Sequence, residues 1–177
     1  EGIPLPARVS SVERTILVNA PPHAIWRQIM NAEAIRPEEL ESAWIFRIGV
    51  PLPLAGTTQS SPIGATRRVT MGKQVYFDEV ISEASENRYV RWTYRFYKDS
   101  FPPQALDDHV VIGGHYFDVV DTSYALQPSG DGTAVTVRVS YRVSTRFNWY
   151  AEPVAQFLLG NMAETNLVFY RQRSEAR

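Results

Sequence analysis

Apolar and polar residues alternate with a period of two through the middle of the chain, and take helical spacing near its two ends. From Thr133 to Ser144 the alternation is cleanest. Val135, Val137, Val139, Tyr141 and Val143 fall on one face; Thr136, Arg138, Ser140 and Arg142 fall on the other. Such a pattern predicts a strand with one dry and one wet face. With His115–Gln127 before it and Pro128-Ser129-Gly130-Asp131-Gly132 between them, it predicts a hairpin. Val9–Val18, Thr66–Met71, Gln74–Ser82 and Arg88–Lys98 read as further strands, as does the alternation of Trp44, Phe46 and Ile48. The turns at Met71-Gly72-Lys73 and Glu83–Asn87 are too short for the crossovers that parallel strands need, so the sheet should be antiparallel. Residues 1–8 read as an extended arm, 51–64 as a Pro/Gly/Ser/Thr loop, and 99–114 as a loop over a pocket mouth.

Helical spacing appears first after Pro21-Pro22, where Ile25, Trp26, Ile29 and Met30 recur over 22–31. Proline suits such a start, since its missing N–H would have no partner there. A second short helix is expected from Ala32 to near Leu40, interrupted by Pro37. The last element reads as a long helix from about Glu152 to Arg173. Its Val154, Phe157, Leu158, Asn161, Thr165 and Val168 share one face at 100° per residue. The expected inward stripe is therefore apolar except for Asn161 and Thr165.

Strand, two short helices, antiparallel strands and a final long helix is also the order of the helix-grip proteins. The run Arg14-Thr15-Ile16-Leu17-Val18-Asn19-Ala20-Pro21-Pro22-His23-Ala24-Ile25-Trp26 resembles that superfamily's strand-to-helix opening. Tyr124-Ala125-Leu126-Gln127-Pro128 and Gly132-Thr133-Ala134-Val135-Thr136 resemble its last hairpin. The chain is similar over residues 9 to 173 to the START-like, polyketide cyclase/dehydrase (SRPBCC) superfamily. The resemblance implies an α+β fold, a bent antiparallel sheet wrapped around the C-terminal helix. It also implies a cavity between them for a lipid, polyketide, sterol or quinone-like molecule. Some such proteins are cyclases or aromatases and others are carriers or sensors. No common catalytic motif carries over.

Composition narrows the picture further. The 177 residues suit one domain, expected over 1–177. No cysteine is present, which excludes disulfides, thiol nucleophiles and thiolate metal sites. A net charge of −1 offers no pull toward nucleic acid. No stretch approaches the roughly 18 apolar residues of a spanning helix. A cytoplasmic protein is expected, or else a soluble domain of an anchored or exported one. Membrane contact would come only through a segment upstream of Glu1.

Candidate chemistry is sparse. Asp107, Asp108, His109, His115, Asp118 and Asp121 fit no zinc spacing, and neither a metal nor a cofactor is expected. There is no Gly-x-Ser-x-Gly elbow and no dinucleotide fingerprint, so no catalytic residue is assigned. Trp92, Tyr94 and Phe96 alternate with Arg91, Thr93 and Arg95 and should face inward. Asp118 shares a strand face with Tyr116, Val120, Thr122, Tyr124 and Leu126. Were that face inward, Asp118 would be a raised-pKa acid or the partner of an arginine such as Arg67. The ligand-binding set expected is Trp92, Tyr94, Tyr116, Asp118, Tyr124, Tyr141, Phe157, Asn161 and Thr165. For Asn161 and Thr165 two roles stand open: contacts to a ligand, or Thr165 bonding back to the Asn161 carbonyl while Asn161 reaches the sheet backbone. The leading function is binding or transfer of an apolar small molecule. The alternatives are a cyclase- or aromatase-like enzyme and a protein-interaction module.

Overall fold

A computed structural model describes residues 8–58, 64–103, 116–145 and 148–176. The chain runs through β1 (Arg8–Val18), α1 (Pro22–Met30), α2 (Pro37–Leu40), α3 (Trp44–Arg47), β2 (Pro53–Thr58) and β3 (Thr66–Met71). A 3-10 turn at Gly72–Gln74 leads to β4 (Tyr76–Ser85), β5 (Tyr89–Arg95), β6 (Phe117–Ser129), β7 (Gly132–Val143) and α4 (Asn148–Glu175). The strands form one sheet in the order β1-β7-β6-β5-β4-β3-β2, with every neighbouring pair antiparallel. Only β1 departs from simple succession, crossing from one end of the chain to pair with β7. Helix α4 lies on the sheet against β1 and β7 and also meets α1, α2 and α3.

The valine alternation of β7 places the core. Val135 and Val137 are fully buried while Arg138 is exposed. They pack with Ile25 and Ile29 of α1 and with Leu167 of α4. Each such side chain contributes roughly 1.5–3 kcal/mol through removal from water. A second cluster, with Val12, Tyr141, Val143 and Leu159, fills the space under the first half of α4. At the far end, Arg173 of α4 clasps Glu39 of α2 through Nε and Nη2, each 2.9 Å from a carboxylate oxygen. Its remaining N–H groups reach the carbonyls of Glu33 and Ala34.

Several elements differ from the expectation. Trp44, Phe46 and Ile48 do not form a strand; Trp44–Arg47 is one helical turn. Three alternating residues are too few to separate the two periods. Inside the expected 51–64 loop lies β2, which pairs with β3 despite its proline because it is the edge strand. The second helix keeps only the part after Pro37. Strand β6 carries a bulge between Val119 and Asp121, which puts Val119 inward and leaves Val120 exposed. Residues 104–115, in the expected lid, lie outside the described residues.

Helix α4 is rotated about its axis relative to the expected face. Ala155, Leu159, Ala163, Leu167 and Tyr170 are buried, whereas Val154 and Phe157 are exposed. Apolar residues lie on all sides of this helix, so periodicity alone left its orientation ambiguous.

Candidate functional site

The inward faces of β3, β4 and β5 carry Arg67 and Val69, Phe77 and Glu79, and Trp92 and Tyr94. Opposite them α4 presents Leu159, Met162, Ala163, Asn166 and Tyr170. Between sheet and helix remains a cavity of about 180 Å³, walled mainly by apolar and aromatic side chains. Such a cavity is close in size to engineered ones of about 150 Å³ that hold benzene.

A polar row crosses this apolar wall. Register places Arg67 opposite Glu79 on β3 and β4, and Glu79 opposite Tyr94 on β4 and β5. Arg67 Nη1 donates to Glu79 Oε2 at 2.5 Å, and both side chains are less than a tenth exposed. Tyr94 continues the row through a 2.6 Å hydrogen bond between its hydroxyl and that of Thr122 on β6. The guanidinium carbon also lies 5.6 Å from the Trp92 ring centre, within cation–π range. Gly56 of β2 explains how so large a group fits. A Cβ there would collide with Arg67 Nη2, so the bare backbone makes room for the guanidinium.

Electrostatics follow from burial. Desolvation pushes the Glu79 carboxyl up, against the pull of Arg67's charge. For Arg67, burial disfavours the charge, but Glu79 outweighs it and holds the guanidinium protonated. Burial also pushes the hydroxyls of Tyr94, Tyr124 and Tyr170 up, so all three are neutral donors at ordinary pH. Two buried donors of the cavity wall stay without a partner among the described residues: Arg67 Nε and Trp92 Nε1. The Trp92 N–H lies near enough to Tyr94 to favour its phenolate slightly, yet without the geometry of a hydrogen bond.

Of the residues expected to meet a ligand, Trp92, Tyr94 and Tyr124 line the cavity. The others lie elsewhere among the described residues. Tyr141 is buried in the second cluster below α4. Tyr116 is largely exposed, and Asp118 faces outward with its carboxylate 3.9 Å from Arg142 rather than near Arg67. The bulge at Val119–Asp121 causes this change of parity. Phe157 stands 56% exposed beside the Trp44 ring, on the outer side of α4. Asn161 Oδ1 accepts the Trp44 backbone N–H at 2.8 Å and so caps α3, not the sheet. Thr165 donates back to the Asn161 carbonyl at 2.9 Å.

Glu79 and Asn166 were missed, and Arg67 was foreseen only as a partner for Asp118. A signal did exist for the pair: Glu79 stands between Phe77 and Ile81, and Arg67 beside Val69, at positions of apolar alternation. The described residues contain no cluster of His, Asp and Glu able to hold a metal, and Asp107, Asp108, His109 and His115 lie outside them. None of the described helices is long and apolar enough to cross a membrane.

Comparison with known proteins rests on structure. No family model and no curated protein sequence matches the chain. An uncharacterized protein from Rhizobium leguminosarum superposes with a TM-score of 0.59 at 15% identity, over 97% of this chain and 98% of its own. A protein from Thermus thermophilus gives 0.56 at 18% identity, over 94% and 98%. Truncated norcoclaurine synthase from Thalictrum flavum gives 0.52 at 12% identity, over 100% and 99%. The chain has the helix-grip fold. The expected architecture is the observed one. In helix-grip terms the cavity occupies the space between the gripping sheet and the gripped helix. At these identities the likeness extends to the fold and no further.

Proposed function

We propose that this protein binds a small hydrophobic molecule reversibly, in the cavity between its sheet and α4. The observation that carries this reading is a mainly apolar cavity crossed by the polar row of Arg67, Glu79, Tyr94 and Thr122. A packed core of this size has no need of space, and surplus space costs stability because its lining loses contacts. A site that keeps both space and a few oriented polar groups has the composition of a small-molecule pocket.

An enzymatic role of the cyclase kind would need a titratable group free to exchange a proton with the ligand. Glu79 is the candidate by position and by its raised pKa, but one of its oxygens is held by Arg67 at 2.5 Å. That engagement favours binding over proton transfer. A role as an interaction module would call for a filled core, which the cavity argues against.

Native mass spectrometry of the protein as purified, followed by solvent extraction, tests the proposal. The expected result is a non-covalent adduct that is released on denaturation and displaces a bound lipophilic fluorophore. An unliganded mass, together with no saturable binding of any apolar probe, would sink it.

A further inference from the structure

Arg67 uses only one of the two carboxylate oxygens of Glu79. Oε2 accepts from Nη1, while Oε1 has no hydrogen-bond partner among the described residues. Arg67 Nε and Trp92 Nε1 are sealed by the atoms packed around them; Glu79 Oε1 is not, and its carboxylate stands on the inward face of β4 against the cavity. Glu79 is nonetheless only 6% exposed. A carboxylate oxygen accepts hydrogen bonds and has none to give, and a charged group left unpaired costs more than a neutral one. What takes the place of solvent in the cavity is therefore selected by what it presents to Oε1.

Charge narrows the occupant first. Arg67 and Glu79 are neutral as a pair. An ammonium would meet Oε1 but set a second cation beside the guanidinium, and an anion would face the carboxylate. Either would be stripped of water with no countercharge of its own. Among uncharged groups, a hydrocarbon, an ether or a ketone has no proton for Oε1. A hydroxyl has one, and a hydrogen bond from O–H to a carboxylate is of the stronger kind. Its lone pairs can also accept. The hydroxyls of Tyr124 and Tyr170 belong to the same wall, near enough to feel the Glu79 charge and kept neutral by burial. Size comes second. About 180 Å³ holds a single ring with a small substituent, judged against the roughly 150 Å³ that takes benzene. The rest of the wall is mainly apolar, with Val69, Phe77 and Leu159 among its members.

From this we infer that the cavity selects an uncharged alcohol built on a single apolar ring, its hydroxyl donating to Glu79 Oε1. The inference rests on the cavity being a ligand site, as proposed above, and adds the class of ligand.

Calorimetric titration of the intact chain with ethylbenzene, acetophenone, 1-phenylethanol and 1-phenylethylamine (a cation at neutral pH) tests the two layers separately, because all four share one carbon skeleton. Ethylbenzene fills the cavity without a polar group, and its saturable binding reports the cavity alone. The alcohol is expected to bind at least about tenfold more tightly than acetophenone, which leaves Oε1 unpaired. The amine should bind more weakly than the alcohol. Glu79→Gln keeps a carbonyl oxygen for Arg67 and turns an amide N–H toward the ligand in place of Oε1. It should reduce the preference for the alcohol over acetophenone to about twofold or less. Acetophenone binding as tightly as the alcohol, or the amine binding most tightly of the four, would overturn the inference while leaving the cavity a ligand site. A preference for the alcohol that survives Glu79→Gln undiminished would overturn it too, since the contact would lie elsewhere. Binding of none of the four would remove the ligand site and the inference together. Should the variant fail to fold, the comparison of alcohol, ketone and amine on the unaltered protein still decides.

Discussion

Arg67 and Glu79 face each other across β3 and β4, with Nη1 2.5 Å from Oε2 and neither side chain more than a tenth exposed. Burying two charges is costly, and their attraction repays the cost only while both are present. Glu79→Leu should therefore destabilise by about 3–5 kcal/mol, because it strands the guanidinium. The double variant Arg67→Met/Glu79→Leu should recover most of that loss, as apolar replacement of a buried pair often does. Urea denaturation of the two single variants and the double variant would measure the coupling. Additive losses would show that the pair is not a unit.

The clasp between Glu39 and Arg173 predicts a pH dependence. The Arg173 hydrogen bonds hold the Glu39 carboxyl well below its usual value, at about 2, against the opposing effect of burial. A depressed folded-state pKa contributes stability that is complete above the unfolded value of 4.5 and is lost as pH falls toward 2. Glu39→Gln should cost about 1–2 kcal/mol near pH 7, with allowance for solvent screening. The gap between variant and parent should close as pH falls from about 4.5 to 2. A gap independent of pH would mean that the clasp acts through packing alone.

The valine stripe of β7 offers a stability test. Val137 is fully buried and Arg138 is exposed. Val137→Asp should cost several kcal/mol, since an unpaired charge would enter the core. Arg138→Ser should stay within about 0.5 kcal/mol of the parent, as surface changes usually do. Similar melting temperatures for the two would contradict the face assignment.

How much of this was legible in advance differs from element to element. The β6–β7 hairpin showed itself because a half-buried strand must alternate, and the short connections required antiparallel pairing. Helix α1 showed itself through Pro22 and the spacing of Ile25, Ile29 and Met30. The face of α4 did not, because Phe157, Leu158, Leu159 and Val168 surround the helix and only packing selects among them. Asp118 was misplaced because a bulge between Val119 and Asp121 has no residue signature and reverses every side chain before it. The Arg67–Glu79 pair depends on the β3–β4 register, which is a tertiary fact. Its trace in the sequence was a charge of each sign at positions where alternation calls for apolar residues.

Asn161 separates structure from binding. Its side chain accepts the Trp44 N–H, which α3 cannot satisfy within its own single turn. Asn161→Leu should lose about 1 kcal/mol of stability, the usual worth of a helix cap. Ethylbenzene affinity of the folded variant should be unchanged. Weakened binding without loss of stability would instead place Asn161 at the ligand.

The central claim is that the space between sheet and α4 is a binding site, and filling that space tests it most directly. Ala163 is 2% exposed and lines the cavity from the helix side, so Ala163→Leu adds three carbons to a space of about 180 Å³. Calorimetric titration of ethylbenzene should show saturable binding to the parent. Binding to Ala163→Leu should be at least about tenfold weaker, while the variant still unfolds cooperatively, since closely packed surroundings tolerate little added volume. Equal affinity for both proteins, or no binding to the parent, would contradict the account.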